Sequence, residues 1–349
     1  MISTYLSKKL SIISFFLIIL VVLLHAQILS LSSGVNKIIQ TIITQEITRI
    51  AVPLFFSISG FLFFRNYKTP FNVFYIKKLN SRIRSILIPY LLTSIIGITI
   101  LYIIQLIPYT EPFFIKQKIE DHTFHEIIKS VFWSPVVSYQ LWFLKVLFIL
   151  ILTSPLIYWI IKKIKIFFVF LFIYWIITDN TYIIFIDAFF FFYLGCYIAI
   201  ETPEILDKKC NHKIRIFILF TLWFTFCIIL ALYHSSLDPI LYRMFHNINI
   251  LIGLYSIWFL YDIIYPKLSH RILNSSILSY SFFIYLGHEP LLTILKKLFL
   301  FFGHGTPINI LITYIITPVI SISICILIGY FLKTHIPSMY SILTGGRNK

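Results

Sequence analysis

The chain has 349 residues, 59 % of them hydrophobic and 12 % charged, with a mean hydropathy of +0.92 and a formal net charge of +16. No soluble core of this length needs that much apolar surface, so a water-soluble globular domain is excluded. Four cysteines without a CxxC pair supply neither a disulfide framework nor a zinc site.

Ten apolar runs approach the roughly 20 helical residues needed to cross a ~30 Å hydrocarbon layer. In chain order they are 10–31, 47–64, 85–108, 139–161, 166–178, 183–200, 214–233, 246–264, 277–295 and 308–332. The expected fold is all-α, a polytopic transmembrane helix bundle of about ten spans forming a single integral-membrane domain over 1–349. With the N-terminus inside, the inner segments carry 20 of the 29 Lys and Arg residues, including Lys8, Lys9 and the block from Arg65 to Arg84. Both termini are therefore expected in the cytoplasm. The positive charge reads as orientation and attraction to anionic membrane lipid, with no nucleic-acid partner. The first run follows two lysines as a secretory signal would. Its length and the lack of a small-x-small cleavage site make it an uncleaved span.

Ionisable groups at membrane depth cost several kcal/mol unless they are paired or face a cavity, so each marks a candidate site. His25 lies sixteen residues after Lys9, about 24 Å along a helix. His288, followed by Glu289 in "SFFIYLGHEPLL", falls at a similar depth in the ninth run. Arg49 enters the second run from the opposite surface, as do Trp142 and Lys145 the fourth and Asp187 the sixth. Each has a plainer reading: a histidine that only packs, an interfacial Arg49, a Lys145 that snorkels to the surface. On the inner side Lys77, Lys78, Arg82 and Arg84 precede the third run. Such a polybasic stretch serves topology or lipid binding, or else forms an anion site, since arginine offers a planar pair of donors to phosphate.

Five stretches, "VVLLHAQ", "RIAVPLFFSISGFLFF", "KKLNSRIRSILIPYLL", "YQLWFLKVLFIL" and "SFFIYLGHEPLL", occur in an order that resembles the membrane-bound acyltransferase-3 family. The resemblance is to its surface-polysaccharide O-acetyltransferase subgroup and reaches across nearly the whole chain. It implies transfer of an acetyl group from cytoplasmic acetyl-CoA, a co-substrate, to a hydroxyl of a cell-surface or lipid-linked glycan, by a multi-pass protein of the bacterial cytoplasmic membrane. By motif, His25 corresponds to the first-span histidine that leads as catalyst. Arg49 corresponds to the arginine opening the second-span motif, and Arg82 to an arginine of the cytoplasmic basic motif. Two positions depart from the pattern: Ser14 stands where a basic residue is frequent, and the arginines before the third run are spaced Arg-x-Arg rather than Arg-x-x-Arg.

These residues suit O-acetylation. A histidine can take the proton of an alcohol at neutral pH, and a fixed arginine can stabilise a thioester oxyanion in a low-dielectric site. The catalytic pair expected is His25 and Arg49, supported by His288, Glu289, Trp142 and Lys145. Lys78, Arg82 and Arg84 would hold the donor, whose long pantetheine arm must thread the bundle, and no metal is called for. The alternative is a transporter or flippase for a glycan or small anion. Against it, the sequence shows neither repeat symmetry nor paired glycine- or proline-broken helices.

Overall fold

The structure is a computed structural model that describes residues 3–67, 70–108, 118–133, 138–178, 184–210, 212–273 and 275–347. Much of the connection between the third and fourth runs, including 109–117 and 134–137, lies outside the described residues. Among the described residues the fold is helical throughout, with no strand. The helices are α1 (Thr4–His25), α2 (Gly34–Thr41), α3 (Ala51–Phe64), α4 (Phe71–Arg82), α5 (Ile88–Gln105), α6 (Phe124–Phe132), α7 (Trp142–Leu152) and α8 (Ser154–Lys163). They continue with α9 (Phe167–Ile177), α10 (Ile184–Glu201), α11 (Lys213–Tyr233), α12 (Pro239–Ile264), α13 (His270–Leu273), α14 (Ser281–Phe302), α15 (Pro307–His335) and α16 (Pro337–Leu343).

Local signals explain several helix starts. Ser3 accepts from the Leu6 amide at 3.1 Å to open α1, and Asp238 accepts from the Ile240 and Leu241 amides ahead of Pro239 to open α12. Each satisfies backbone donors that a helix leaves orphaned at its first turn. Thr123 and Glu126 close a reciprocal capping box at the head of α6.

Among the described residues six helices are long and apolar enough to cross a membrane: 4–25, 34–64, 71–105, 213–233, 239–267 and 307–335. The total becomes seven when α7 and α8, bent by 56° at Thr153, are taken as one broken span. The run expected as a span at 166–178 forms the shorter apolar helix α9, and the run at 183–200 forms the 18-residue α10. The run at 277–295 becomes α14, which is interrupted at Glu289. The expectation that paired glycine- or proline-broken helices are absent did not anticipate this proline-broken helix. Pro290 cannot donate into the helical ladder, and Glu289 leaves helical geometry at φ −111°, ψ 136°.

The chain divides into two compact units, residues 1–76 with 150–278 and residues 77–149 with 279–349. In the first, α3 and α10 form the closest crossing. A Cβ on Gly60 would lie 2.2 Å from the Phe192 carbonyl oxygen, and one on Gly195 would lie 2.0 Å from that of Ser57. Between lipid-embedded helices the hydrophobic effect offers little net attraction, so close backbone approach through small residues supplies the packing. On α3 that contact falls at Ser57 and Gly60. Lys9, expected only as an orientation charge, is 0 % exposed and pairs with Asp262 of α12 at 2.7 Å. Its ammonium also lies 4.5 Å from the Trp258 ring centre. Asp262 collects two further donors, the Tyr5 hydroxyl and the Cys210 amide. In the second unit α14 packs on α15, and α16 packs on α5.

Candidate active site

His25 is the last residue of α1 and is half-buried. Arg49, also half-buried, sits in a 3-10 turn, Ile47–Ile50, directly before α3. A one-turn π-helix, Ile42–Glu46, precedes that turn, and α1 packs against both. Such π turns reorient side chains and recur at functional sites. Here the turn presents Gln45 and Glu46 to the surroundings of Arg49. The Arg49 guanidinium donates to the Gln45 side-chain oxygen. The Gln45 amide in turn donates to Gln27, two residues past His25, at 3.4 Å. Arg49 is thus tied to the end of α1 that carries His25.

Glu46 was not singled out by sequence, yet it is the most enclosed carboxylate of this unit's polar cluster, 1 % exposed. It accepts from the Tyr242 hydroxyl at 2.6 Å and pairs with His246 Nδ1 at 3.0 Å, both from the first two turns of α12. With the Glu46 carboxylate as acceptor, His246 donates from Nδ1 in that pairing. The Tyr242 and His246 rings stack at 5.7 Å. Asp187 of α10 accepts from Trp175 Nε1 at 2.6 Å. It lies in the fields of Arg243, His246 and Arg49, while Arg49 lies in those of Tyr242, Glu46 and Asp187. Arg243 itself donates to the Thr178 carbonyl at 2.7 Å. The second-span arginine therefore stands among two carboxylates, a carboxylate-backed histidine and a tyrosine, a cluster suited to fixing a guanidinium in one pose. The only sequence signal for Glu46 and His246 is that both are ionisable and close to apolar runs. Their partnership spans 200 positions.

In the second unit His288 is 0 % exposed, with Nδ1 3.1 and 2.8 Å from the carbonyls of Ile284 and Tyr285. Glu289 marks the interruption in α14. Its carboxylate accepts from the Tyr139 hydroxyl at 2.9 Å and from the Thr293 amide at 3.2 Å, capping the second half of the helix. A 3-10 turn, Tyr139–Leu141, clamps the first half: the Gln140 amide donates to the Leu286 carbonyl at 3.2 Å, and the Tyr285 hydroxyl donates to the Gln140 carbonyl at 2.7 Å. Trp142 follows this clamp, with its ring 6.4 Å from Phe143. Lys145 turns elsewhere. Its ammonium donates to the Trp133 carbonyl at 2.7 Å and lies 4.5 Å from that residue's ring, pinning the end of α6. Of the four supporting residues expected, the structure brings His288 and Glu289 together with Tyr139 and Gln140, and gives Lys145 a structural partner.

The basic stretch of the same unit lines a cavity of ≈ 340 Å³ whose walls are Lys77, Asn80, Ser81, Arg84 and Gly345. Arg84 stands in a second π turn, Ile83–Leu87. Arg82 and Lys77, both cations, are among the charged neighbours acting on Lys78. Ammonium, guanidinium, amide and hydroxyl donors around one cavity are the chemistry of an anion site. Among the described residues no three His, Cys, Asp or Glu side chains assemble as a metal-ligand set.

Residues 10–330 match the acyltransferase domain that defines the acyltransferase-3 family, so the chain belongs to that family and is a membrane acyltransferase. No curated protein and no solved structure matches it.

Proposed function

We propose that the protein is an O-acetyltransferase of the bacterial cytoplasmic membrane, with ten spans and both termini in the cytoplasm, that moves acetyl from acetyl-CoA to a hydroxyl of a surface or lipid-linked glycan. The observation that carries the proposal is the Arg49–Gln45–Gln27 chain, which holds a guanidinium beside the helix end that bears a histidine. In this reading His25 takes the proton of the acceptor hydroxyl as its oxygen attacks the thioester carbonyl. The resulting oxyanion is stabilised by Arg49, whose pose is fixed before reaction, so no reorganisation is needed. Collapse breaks the carbon–sulfur bond, and His25 returns the proton to the departing thiolate. Lys78, Arg82 and Arg84 take the phosphates of the donor.

The interrupted helix α14 is of the kind that the transporter alternative would use. Family membership over 10–330 favours the acyltransferase over it. The test is transfer of label from acetyl-CoA in membranes containing wild-type protein or His25→Ala. Transfer by the wild type and none by the variant, at equal levels of inserted protein, is the expected outcome. Wild-type rates in His25→Ala remove the histidine from the mechanism, and no transfer by either leaves the transporter reading in place.

A further inference from the structure

The segment that follows α15 lies beyond the residues matching the acyltransferase family, yet it is built into the cationic end of the second unit. Tyr340 of α16 is 0 % exposed and packs between the rings of Tyr280 and Phe283, at 6.1 and 5.5 Å. The Thr344 hydroxyl donates to the Tyr340 carbonyl at 2.7 Å to finish the helix. Gly345 and Gly346 then both take left-handed backbone, φ +65° and +73°, a conformation other residues adopt only at a cost. A Cβ on Gly345 would lie 2.5 Å from the Ser85 Cα and 3.1 Å from the Arg84 carbonyl oxygen, so this turn rests directly on the π turn that carries Arg84. The two glycines deliver Arg347, whose guanidinium lies 3.4 Å from the centre of the Phe282 ring. Arg82 is close enough to act on it as a like charge.

This placement bears on the spacing of the basic stretch. On a helix, residues three or four apart share a face and residues two apart do not. Lys77, Ser81 and Arg84 share one face and line the cavity; Lys78 and Arg82 share the next. The Arg-x-Arg spacing therefore leaves Arg82 without a second guanidinium from its own helix. Arg347 stands within the electrostatic reach of Arg82, while Gly345 of the same turn forms part of the cavity wall. Lys77, Arg82, Arg84 and Arg347 concentrate positive charge at this end of the unit, which favours binding of an anion. Stacking on Phe282 holds the planar donors of Arg347 in a fixed orientation, which a freely solvated arginine lacks.

We propose that Arg347, positioned by the Gly345–Gly346 turn, completes with Arg82 and Arg84 a binding site for the phosphate groups of the nucleotide end of the acyl donor. The proposal rests on the reading of the donor as a coenzyme A thioester. The shared chemistry is phosphate, which an anionic lipid headgroup also presents.

The test measures binding of adenosine 3′,5′-bisphosphate to purified full-length protein in nanodiscs, once in zwitterionic lipid and once with anionic lipid added. The variants are Arg347→Gln, Arg347→Lys, Gly345→Ala and the pair Arg82→Gln with Arg84→Gln. Loss of one charge-assisted contact weakens binding by roughly ten- to a hundredfold. That loss is expected for Arg347→Gln and for Gly345→Ala in both lipids, with only partial recovery in Arg347→Lys. If the Arg82 and Arg84 variant weakens and Arg347→Gln stays within twofold of wild type, the role of Arg347 is overturned while the donor reading stands. No binding of the bisphosphate by wild type overturns both. An effect of Arg347→Gln on retention of anionic lipid, with nucleotide binding unchanged, assigns the site to a headgroup and also overturns the proposal.

Discussion

Replacing Arg49 by lysine separates charge from geometry at the proposed catalytic centre. The wild-type guanidinium has five N–H donors in one plane, gives one toward Gln45, and stands in the fields of Glu46 and Asp187. Lysine keeps the positive charge, so the two carboxylates keep a cationic neighbour and the fold should hold. Alanine removes it, and leaving a buried charge without its partner typically costs about 3–5 kcal/mol. The figure here falls toward the lower end, because Glu46 retains Tyr242 and His246 and Asp187 retains Trp175. What lysine cannot do is hold Gln45 with one nitrogen while aiming another, in the same plane, at a developing oxyanion. Losing one such donor lowers turnover by roughly 10² to 10³. The expected result is a stable Arg49→Lys protein with turnover reduced by that factor, and an Arg49→Ala protein that is both inactive and less stable. The assay is acetyl transfer in membranes at matched protein levels, paired with thermal unfolding of the purified variants. Activity of Arg49→Lys within a few-fold of wild type would refute the forked-donor role and leave Arg49 as a structural charge among carboxylates.

Three further outcomes follow from packing. Gly60→Ala drives a methyl group into the Phe192 carbonyl, so α3 and α10 must separate; a loss of about 1–3 kcal/mol or more is expected, read as a lower melting temperature and a smaller monodisperse yield. Lys9→Met leaves Asp262 buried with only the Tyr5 hydroxyl and the Cys210 amide, at a cost of about 3–5 kcal/mol; pairing it with Asp262→Asn should restore much of the stability, and a double variant no better than the single would show that the charge pair is not the cause. Glu46→Gln offers one acceptor oxygen where two donors, Tyr242 and His246, now bond, so a loss of about 1–3 kcal/mol is expected. Unfolding of Glu46→Gln, Tyr242→Phe and their combination checks the last, with non-additive effects expected within one network.

Composition and the recurrence of apolar runs settled by themselves that the chain is a helical membrane protein, because water-free surroundings leave the backbone few other ways to satisfy its hydrogen bonds. Ordered motifs were enough to point to the acyltransferase family, and a charged residue in an apolar run was enough to single out His25, Arg49 and His288. The extent of each helix was less legible: hydropathy registers how apolar a stretch is, whereas the interruption of α14 depends on Pro290 together with Tyr139 and Gln140, which hold it from a 3-10 turn about 150 positions earlier in the chain. Partnerships were not legible at all. Lys9 looks from its position like an orientation charge and is instead sealed against Asp262, 253 residues away. Glu46 finds His246 at a separation of 200, and Arg347 reaches the Phe282 ring because two left-handed glycines turn the chain onto the π turn at Arg84. Hydropathy sums local preferences along the chain, but an ion pair or a stacked guanidinium is decided by which helices the packing brings side by side. In this protein that choice belongs to close crossings such as Gly60 against Phe192, which only the folded chain displays.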